Sequence, residues 1–597
     1  MAFKEFPPTE LLPIFCFFDR QRFISAGSMD CANWYSISMP DGKNGQALYP
    51  CMGRQHITDG FGQNKLIFNT EPSKVFKSVN FIYVIDGTSV IQIDQFLNQI
   101  FVGSIPLGST CWFAYLPVGN VTYVGLTTGT SMFIITESAG PVTFVKVTDS
   151  NLPVNPLYIA TFGNSFVVSS ANTPNYGVSA VNLGGVPLNP ATCFTENGAP
   201  IFNRASGVIG QMGVLHNQLY IFCDFTTDIW SNIPTQITSG GVTRDFPFKL
   251  SSSYNWDYGI ADPLSLSIDF GMMTWLAKNS TGLRTFMTSN GQQPTPISTQ
   301  AINVLLQNSS DTIDGVSPFI SGPVNGFLYQ YENTIFYRVS AGSYLNYLQL
   351  DIQDSASALE FNFSTQKWGR VIELNGERNR IQKHVFFINK HLVTVMGDNA
   401  IYEMAGNIYH NELITPNTNP QDVNAFTKYP MRYELITQQI FEPDYSEFIT
   451  DYVQIDFVFG DKTFYKNNAP FDNTVFIITE DSNPDCPTFV ITEDAGTTGD
   501  PIFVITEDGN TPGFSDNHYN ALFKPYIALY ASDDGGVTFE SYDLREFSPL
   551  GEYRWIMRWY EMGTSRNRVY KLICVSSAPI VILGAVHSRR RASGGAN

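Results

Sequence analysis

Apolar and polar residues alternate along most of the chain, in short runs that end at turn-forming residues. Phe81–Ile93 is one such unit, in which two β-rich runs flank Asp86 and Gly87, a dipeptide that favours the primed turns of β-hairpins. Gly213–Asn232 and His384–Met404 repeat this arrangement of strand, tight turn and strand. Helical periodicity is nearly absent. The pattern therefore predicts an all-β protein.

The hairpin units recur every few tens of residues between residues 61 and 428. Roughly 40–50 residues per four-stranded blade is the repeat length of a β-propeller, so a stretch of about 370 residues would hold about six to eight blades. No strict blade consensus is present, which leaves the number of blades open. We predict a β-propeller over residues 61–428, preceded by an N-terminal arm over residues 1–60 in which prolines interrupt any regular pattern.

A second β unit follows the predicted propeller. Alternating runs occupy residues 429–461 and resume over residues 521–590. We interpret the two parts as one C-terminal antiparallel β-sandwich. Residues 462–520 interrupt it as a β insert, and residues 591–597 form an exposed tail.

The insert contains the phrase F-[IV]-[IV]-T-E-D three times, opened by Phe476, Phe489 and Phe503. Each copy has the composition of a short strand and is followed by a turn rich in Gly, Pro and Asn. We expect a small separable sheet, with either parallel or antiparallel pairing. It could dock another protein or be a duplicated surface decoration. Its carboxylates could also form a ladder that binds Ca²⁺: Glu480, Asp481, Glu493, Asp494, Glu507 and Asp508.

The composition is that of an acidic globular protein, with 43% hydrophobic residues, 15% charged residues and a net charge of -19. Static binding to nucleic acid relies on Lys and Arg at phosphates, so the body is a poor match for it. The charge fits either an ordinary acidic protein or a surface past which DNA slides without sticking. Eight cysteines without a C-x-x-C pair indicate reduced thiols in a protein made in a cytoplasm. No apolar run approaches the ~18 residues of a membrane helix.

Motifs for catalysis or for cofactor binding are weak. Ser532–Phe539, "SDDGGVTF", fits the Asp-box pattern found in sialidase propellers. A single copy outside the predicted propeller is better explained as a hairpin device, in which Asp534 ties the turn's amides and Phe539 packs beneath it. The histidines are scattered, and no Walker A loop or glycine-rich dinucleotide motif is present. We therefore predict no enzymatic activity, no cofactor and, apart from the Ca²⁺ ladder left open for the repeats, no metal site.

Basic residues are concentrated near the C-terminus, where 8 of the 35 Lys and Arg lie in the last 44 residues. In "YRWIMRWYEMG", alternation places Arg554, Ile556, Arg558 and Tyr560 on one face of a strand and Trp555, Met557 and Trp559 on the other. Such a strand is either an edge protected by charge or an interface for an acidic partner. The predicted assembly residues are Arg554, Arg558, Arg566, Arg568, Arg589, Arg590 and Arg591.

The same C-terminal region, "DDGGVTF" through "RWIMRWYEMG" to "PIVILGAVHS", resembles the packaged-DNA stabilisation proteins of short-tailed bacteriophages, also called tail hubs or nozzles. That family ends with a D-G-x-x-[FY] hairpin, an arginine- and tryptophan-containing run, and a closing P-[VI]-x-[IL]-x-G-A strand. Cys31–Gly53, Gly207–Trp230 and Tyr258–Leu306 are similar to further family segments and follow the family's order. Cys51 and Met52 split the Pro-Gly pair of the family's N-terminal signature.

The resemblance implies a structural virion protein, made in the host cytoplasm and placed in the phage tail. It implies a ring of six copies that extends and closes the DNA channel below the portal and adaptor. The ring would carry needle or plug proteins and tailspike or fibre proteins, and viral DNA would pass through it without sequence-specific binding. The alternative is a β-propeller that binds glycans or cleaves them as sialidases do. That alternative requires an arginine triad and an acid pair converging on one propeller face.

Overall fold

The computed structural model describes most of the chain, and every structural statement below concerns the part described. Its ranges are 9–12, 29–38, 45–58, 63–138, 141–179, 188–196, 199–239, 242–251, 255–306, 324–341, 358–376, 378–415, 418, 425–459, 475–476, 491–492, 502–503, 526–546 and 554–591.

Short strands precede the first complete sheet. They are β1 (Thr9–Leu11), β2 (Asp30–Ala32), β3 (Trp34–Ser38), β4 (Gln46–Pro50), β5 (Gly53–Thr58) and β6 (Asn64–Lys65).

Seven antiparallel units of four strand positions then follow, and we call them blades 1 to 7. Blades 1 to 5 are separate sheets, whereas blades 6 and 7 belong to one 16-stranded sheet that also contains strands of the C-terminal unit. Blade 1 comprises β7 (Pro72–Lys77), β8 (Ile82–Asp86), β9 (Ser89–Ile93) and β10 (Gln99–Ser104), and blade 2 comprises β11 (Trp112–Val118), β12 (Val121–Thr127), β13 (Met132–Glu137) and β14 (Thr143–Lys146). Blade 3 comprises β15 (Pro156–Phe162), β16 (Ser165–Ser170), β17 (Asn175–Val178) and, after a hairpin of β18 (Thr195–Glu196) and β19 (Ala199–Pro200), β20 (Phe202–Arg204). Blade 4 comprises β21 (Ile209–Leu215), β22 (Gln218–Cys223), β23 (Thr227–Ser231) and, after a hairpin of β24 (Thr235–Ser239) and β25 (Val242–Phe246), β26 (Lys249–Leu250).

The remaining blades are less regular. In blade 5 the first-strand position is shared by β27 (Gly259–Ile260) and β28 (Ser267–Asp269), which are separated by a 3₁₀ turn (Pro263–Ser265) and both pair with β29 (Met272–Lys278). The sheet is completed by β30 (Arg284–Ser289) and β31 (Thr295–Pro296). Helix α1 (Gln300–Leu306) follows. Blade 6 comprises β32 (Val324–Tyr331), β33 (Thr334–Ala341), β34 (Ala358–Asn362) and β35 (Lys367–Arg370), and blade 7 comprises β36 (Ile381–Phe387), β37 (Lys390–Val395), β38 (Ile401–Ala405) and β5.

The C-terminal strands come last. They are β39 (His410–Ile414), β40 (Phe426–Ile436), β41 (Ile440–Phe441), β42 (Phe448–Phe459), β43 (Val475–Phe476), β44 (Ile491–Thr492), β45 (Ile502–Phe503), β46 (Tyr526–Ser532), β47 (Glu540–Glu546), β48 (Arg554–Tyr560), β49 (Thr564–Ser565), β50 (Asn567–Ser576) and β51 (Ile580–Arg591).

The seven blades form a closed β-propeller. Their first strands pack side by side as the innermost strands, and β36 of blade 7 lies against β7 of blade 1. Apolar clusters fill the spaces between neighbouring blades, for example between blades 1 and 2 and between blades 2 and 3. The predicted hairpins are confirmed, with Gly87 at φ 59° in the first turn and Asn217 at φ 58° in the second. Because each blade is a local meander, its alternation is visible in the sequence.

Strand β5 closes the propeller from the N-terminal side. It pairs antiparallel with β38 and so becomes the outermost strand of blade 7. The predicted division at residues 60 and 61 therefore differs from the observed pairing, since part of the N-terminal arm belongs to the propeller sheet. The guanidinium of Arg54 explains how a polar strand can be buried there. It donates from Nη1 to Oε1 of Glu373 at 2.7 Å and from Nη2 to Oε2 at 3.1 Å.

The C-terminal unit is the predicted sandwich of antiparallel strands. One sheet runs in the order β3, β4, β51, β42, β48, and the other contains β47, β46, β50, β40 and β2. Their inner faces share one apolar cluster, which includes Trp34, Phe457 and Leu572. The N-terminal segment therefore contributes strands to both sheets, in contrast to the irregular arm predicted for it. The cluster continues into blades 6 and 7, where it contains Tyr329 and Val393, so the two units share a core.

The three repeat copies each contribute one short strand to a separate sheet. Strand β43 pairs parallel with β45, and β44 pairs antiparallel with β45. The strands therefore combine the two pairing modes that the sequence left open. The carboxylates proposed as a Ca²⁺ ladder lie outside the described residues. No helix in the described part is long and apolar enough to cross a membrane.

Two half-buried histidines lie between blades 6 and 7. Nε2 of His384 lies 2.9 Å from Nδ1 of His391, so one ring must donate to the other. Burial holds the pKa of His384 well below 6.5, and the neighbouring His391 and the charge of Arg338 act in the same direction. Burial also lowers the pKa of His391, and Glu403 opposes that shift. Both rings are therefore neutral in the folded chain near neutral pH.

We expect the chain to lose stability as the pH falls below about 6.5. The unfolded histidines bind protons there and the folded ones do not, which costs up to about 1.4 kcal/mol per pH unit for each ring. Urea unfolding at neutral pH and about one unit below 6.5 measures this loss. It should shrink in His384→Phe, where phenylalanine can stack on Phe327 as the histidine does. The exposed His216, changed to Gln, should leave the loss intact; an undiminished loss in His384→Phe would contradict the explanation.

Candidate partner-binding face

Strand β48 forms a free edge of the sandwich, because within its sheet it pairs only with β42 among the described strands. The predicted alternation along it is confirmed. Met557 and Trp559 are buried in the sandwich core, whereas Ile556 is 52% exposed and Tyr560 is 60% exposed. Arg554 lies on the exposed side as well. Since a strand carries its side chains on alternate faces, this edge presents arginine, isoleucine, arginine and tyrosine in one row.

The neighbouring strand β42 supplies the second row of this face. Cross-strand pairs match Tyr452 with Tyr560, Gln454 with Arg558 and Asp456 with Ile556. Paired residues in an antiparallel sheet share a face. We call the two rows, residues 452, 454 and 456 with 554, 556, 558 and 560, the arginine face.

Arg558 lies at the centre of the arginine face. Its guanidinium lies 4.7 Å from the ring centre of Tyr452 and 5.8 Å from that of Tyr560. Its Nε donates to Oε1 of Gln454 at 2.9 Å. Within the described part of the chain no carboxylate pairs with it. The guanidinium is thus held in place by neutral groups, and its charge is available to an acidic partner.

Arg554 has a stronger internal partner. Its Nε and Nη2 donate to the two oxygens of Asp456, at 3.1 and 2.6 Å. This bidentate geometry fixes the guanidinium plane at the sheet surface. The arginine side chain nevertheless remains 58% exposed, while the aspartate is nearly buried.

The other predicted arginines flank the start of β42, at one end of the sheet. Phe448 pairs with both Ser565 and Arg591, so the segment that contains Arg566 lies close to the C-terminal end of β51. Ion pairs within the chain occupy these groups: Arg566 with Glu447, Arg589 with Glu10 and Glu442, Arg590 with Asp451, and Arg591 with Asp444. The arginines of three of these pairs, Arg566, Arg590 and Arg591, are exposed, and such pairs contribute about 0–1 kcal/mol each, so they can be exchanged for contacts with another chain at little cost. Arg589 is only 17% exposed and its partner Glu442 only 12%, so that pair is less available to a partner.

Arg568 departs from the prediction. Its side chain is 2% exposed, its Nε donates to Oδ1 of Asp533 at 2.6 Å, and its Nη1 donates to the carbonyl of Met562. A residue enclosed in this way supports the loop between β48 and β50 and is not available to a partner. Arg568 is thus removed from the assembly residues.

Sequence reasoning missed Tyr452 and Gln454, which hold Arg558. The alternation in "DYVQIDFVFG" places both on one face of a strand, which was a usable signal. The sequence pattern does not show that β42 pairs with β48. About a hundred residues separate the two strands, and local alternation does not specify a distant partner.

The Asp-box is confirmed as a hairpin device between β46 and β47. Oδ1 of Asp534 accepts hydrogen bonds from the backbone N–H of Val537 at 2.9 Å and from Oγ of Ser532 at 2.6 Å. Its Oδ2 accepts from Oγ1 of Thr538 at 2.6 Å. Phe539 is partly buried, with Nζ of Lys571 5.6 Å from its ring centre. The carboxylate is fully engaged in holding the turn. In the described part of the chain, no group of three His, Cys, Asp or Glu side chains could hold a metal ion.

No protein-family model matches the sequence, and no curated protein matches it. Solved structures with a similar fold include the WD40 domain of Neurospora crassa Pan2, with 8% identity, coverage of 62% of this chain and 96% of that chain, and a TM-score of 0.35. A streptogramin B lyase has 9% identity, coverage of 59% and 97%, and a TM-score of 0.30. Kluyveromyces lactis Hsv2 has 10% identity, coverage of 57% and 97%, and a TM-score of 0.26. Scores this low carry no argument about function, and the propeller assignment stands on the closed ring of sheets.

Proposed function

We propose that this chain is the tail hub, or nozzle, of a short-tailed bacteriophage. It is a non-enzymatic virion protein that forms a closed ring, six-fold by resemblance, and extends and closes the DNA channel below the portal and adaptor. It carries needle or plug and tailspike or fibre proteins, and DNA passes through it without sequence-specific contacts. It acts in the virion tail after synthesis in the host cytoplasm.

The observation that supports this proposal most is the arginine face on the free edge β48. Among the described strands none pairs with the outer edge of β48, where Nη1 of Arg545 donates to the carbonyl of Arg558 at 2.8 Å. An edge of this kind with exposed Ile556 and Tyr560 is a site where another chain can add, and proteins that stay monomeric usually block such edges. The unpaired charge of Arg558 fits an acidic neighbour, and this chain, at a net charge of -19, is itself acidic. A second exposed apolar group lies on the outer edge of blade 1, where Phe96 is 71% and Phe101 is 63% exposed.

The sialidase-like alternative has less support from the propeller. The innermost strands line the central channel of the propeller, and the sialidase-like alternative requires an arginine triad converging on one propeller face. The described innermost strands, β7, β11, β15, β21, β27, β28, β32 and β36, contain no arginine. That the chain is not an enzyme remains a prediction.

Electron microscopy tests the assembly directly. Purified particles should carry rings of this chain at the tail vertex, and mass photometry of hub released from particles should give a closed oligomer, six-fold by resemblance. Monomers alone in the released material would contradict the proposal. A recombinant monomer would not, since rings of this kind can require their template.

Charge reversal at Arg558 and Arg566 should block ring assembly and leave the monomer folded. Among the described residues neither side chain forms a buried ion pair, so the cost to folding should stay below about 1 kcal/mol. Particle yield and thermal unfolding of Arg558→Glu/Arg566→Glu measure the two effects. The matched control is Lys146→Glu/Lys249→Glu, which changes the net charge equally at exposed positions of blades 2 and 4. Normal particle yield from the arginine variant, or an equal loss of particle yield in the control, would contradict this assignment of the interface.

A further inference from the structure

A cluster of two lysines and a tryptophan lies on three adjacent innermost strands of the propeller. Lys383 is on β36 of blade 7, Lys74 is on β7 of blade 1, and Trp112 is on β11 of blade 2. Nζ of Lys383 donates to the backbone carbonyls of Pro72 at 3.2 Å and Ser73 at 2.5 Å, directly beside Lys74. Nζ of Lys74 lies 3.5 Å from the ring centre of Trp112. We call these three residues the axial cluster.

The axial cluster itself contains no carboxylate. No ion pair joins Lys74 to any carboxylate of the described residues, and its ammonium lies over the π face of Trp112. The carboxylate of Glu71 interacts electrostatically with Lys383. It already accepts a hydrogen bond from the backbone N–H of Gly397 at 3.0 Å. Two ammonium groups so placed, in a chain with 54 acidic residues, are an unusual local excess of positive charge.

The titration of both lysines agrees with this excess. Burial, together with the charge of Lys383 and against an opposing effect of Cys111, lowers the pKa of Lys74 to about 7. Burial likewise lowers the pKa of Lys383 to about 8, against Glu71. The lysine side chains are nonetheless partly exposed, so a small solute can reach them. The indole N–H of Trp112 is buried and has no acceptor among the described residues.

We propose that the axial cluster binds a small oxyanion, such as phosphate or a carboxylate. An oxyanion would neutralise two neighbouring ammonium groups at once and accept hydrogen bonds from their free N–H groups. Such charge-assisted hydrogen bonds are stronger than those between neutral groups. The innermost strands of the blades surround the central channel of a propeller, so side chains from several blades can converge there. This site goes beyond the assembly role proposed above and does not depend on it.

Isothermal titration of the full chain with inorganic phosphate, at about pH 6.5, tests the site. Lys74→Met and Lys383→Met keep the aliphatic stem and remove the charge, and each should weaken phosphate binding by about ten-fold or more. The matched control is Lys278→Met, since Lys278 also lies over an aromatic ring, 4.7 Å from the centre of Phe225, but away from the cluster. Binding should weaken as the pH rises through 7 to 8, where Lys74 and Lys383 lose protons.

A measurement on the unmodified chain covers the case in which a lysine variant fails to fold. Phosphate should protect Lys74 and Lys383 from acetylation by acetic anhydride, as read by mass spectrometry, and should not protect Lys278. Acetate and a short single-stranded oligonucleotide distinguish the sources of the oxyanion. Protection by phosphate or acetate supports the site. Protection by the oligonucleotide alone, unchanged phosphate binding in Lys74→Met, or no protection in the unmodified chain would overturn it.

Discussion

Replacing Arg338 with methionine should destabilise the chain by about 3–5 kcal/mol. Arg338 is buried on β33, and its Nε and Nη2 lie 2.7 and 2.6 Å from Oε2 of Glu360 on β34. The hydroxyl of Tyr329 donates to the same oxygen at 2.6 Å. Without the guanidinium, the carboxylate of Glu360 stays in the core with no cation, and desolvation of that charge is not compensated.

A double-mutant cycle separates the ion pair from general packing. Arg338→Met/Glu360→Gln removes both charges, so it should cost clearly less than the sum of the single changes. The matched control is Lys390→Met, because Lys390 pairs with Glu403 at 2.5 Å but is 36% exposed, and surface pairs contribute about 0–1 kcal/mol. Urea unfolding monitored by tryptophan fluorescence gives the free energies. If Arg338→Met costs no more than Lys390→Met, the buried pair does not stabilise the junction of blade 6 with the sandwich core.

This ion pair belongs to the part of the structure that sequence patterns could not predict. Within a blade, strand partners are neighbours in sequence, so alternation and turn residues such as Gly87 were enough to locate the hairpins. The sandwich strands were located in the same way. Arg338 and Glu360 are charged residues inside buried strands, and each is acceptable there only because the other is present.

The N-terminal segment illustrates the same limit more strongly. Strand β5 has the sequence Gly-Arg-Gln-His-Ile-Thr, which has no strand-like apolar alternation. Arg54 and His56 can be buried or half-buried because Glu373 and Glu412, more than three hundred residues away, accept their hydrogen bonds. A local pattern contains no information about such partners, and polar residues are ordinarily assigned to the surface. The segment therefore resembled an irregular arm.

The candidate interface also contains residues whose exposure the sequence pattern predicts and one whose burial it does not. Alternation along β48 was sufficient to place Arg554 and Arg558 on an exposed face, because an edge strand obeys the two-residue period whatever lies opposite. Arg568 is identical in residue type and close in sequence, but Asp533 and a turn carbonyl enclose it. Only the spatial arrangement distinguishes an arginine that supports a loop from one that faces solvent.

The closure of the propeller by β5 gives the last prediction. Gly53 lies where β5 passes β39, and a Cβ atom there would lie 2.4 Å from the carbonyl oxygen of His410 and 2.6 Å from that of Ile408. Backbone atoms cannot yield as a side chain can, so Gly53→Val should force β5 away from blade 7 and cost about 3 kcal/mol or more. Valine favours strands, which works in the opposite direction. Gln55→Val, on the same strand at a partly exposed position, receives that benefit without the clash and is the control. Urea unfolding measures both variants, and limited proteolysis should show faster cleavage near residues 45–58 in Gly53→Val alone. Equal stability of the two variants would mean that β5 is not held against β39 and that another element closes the ring.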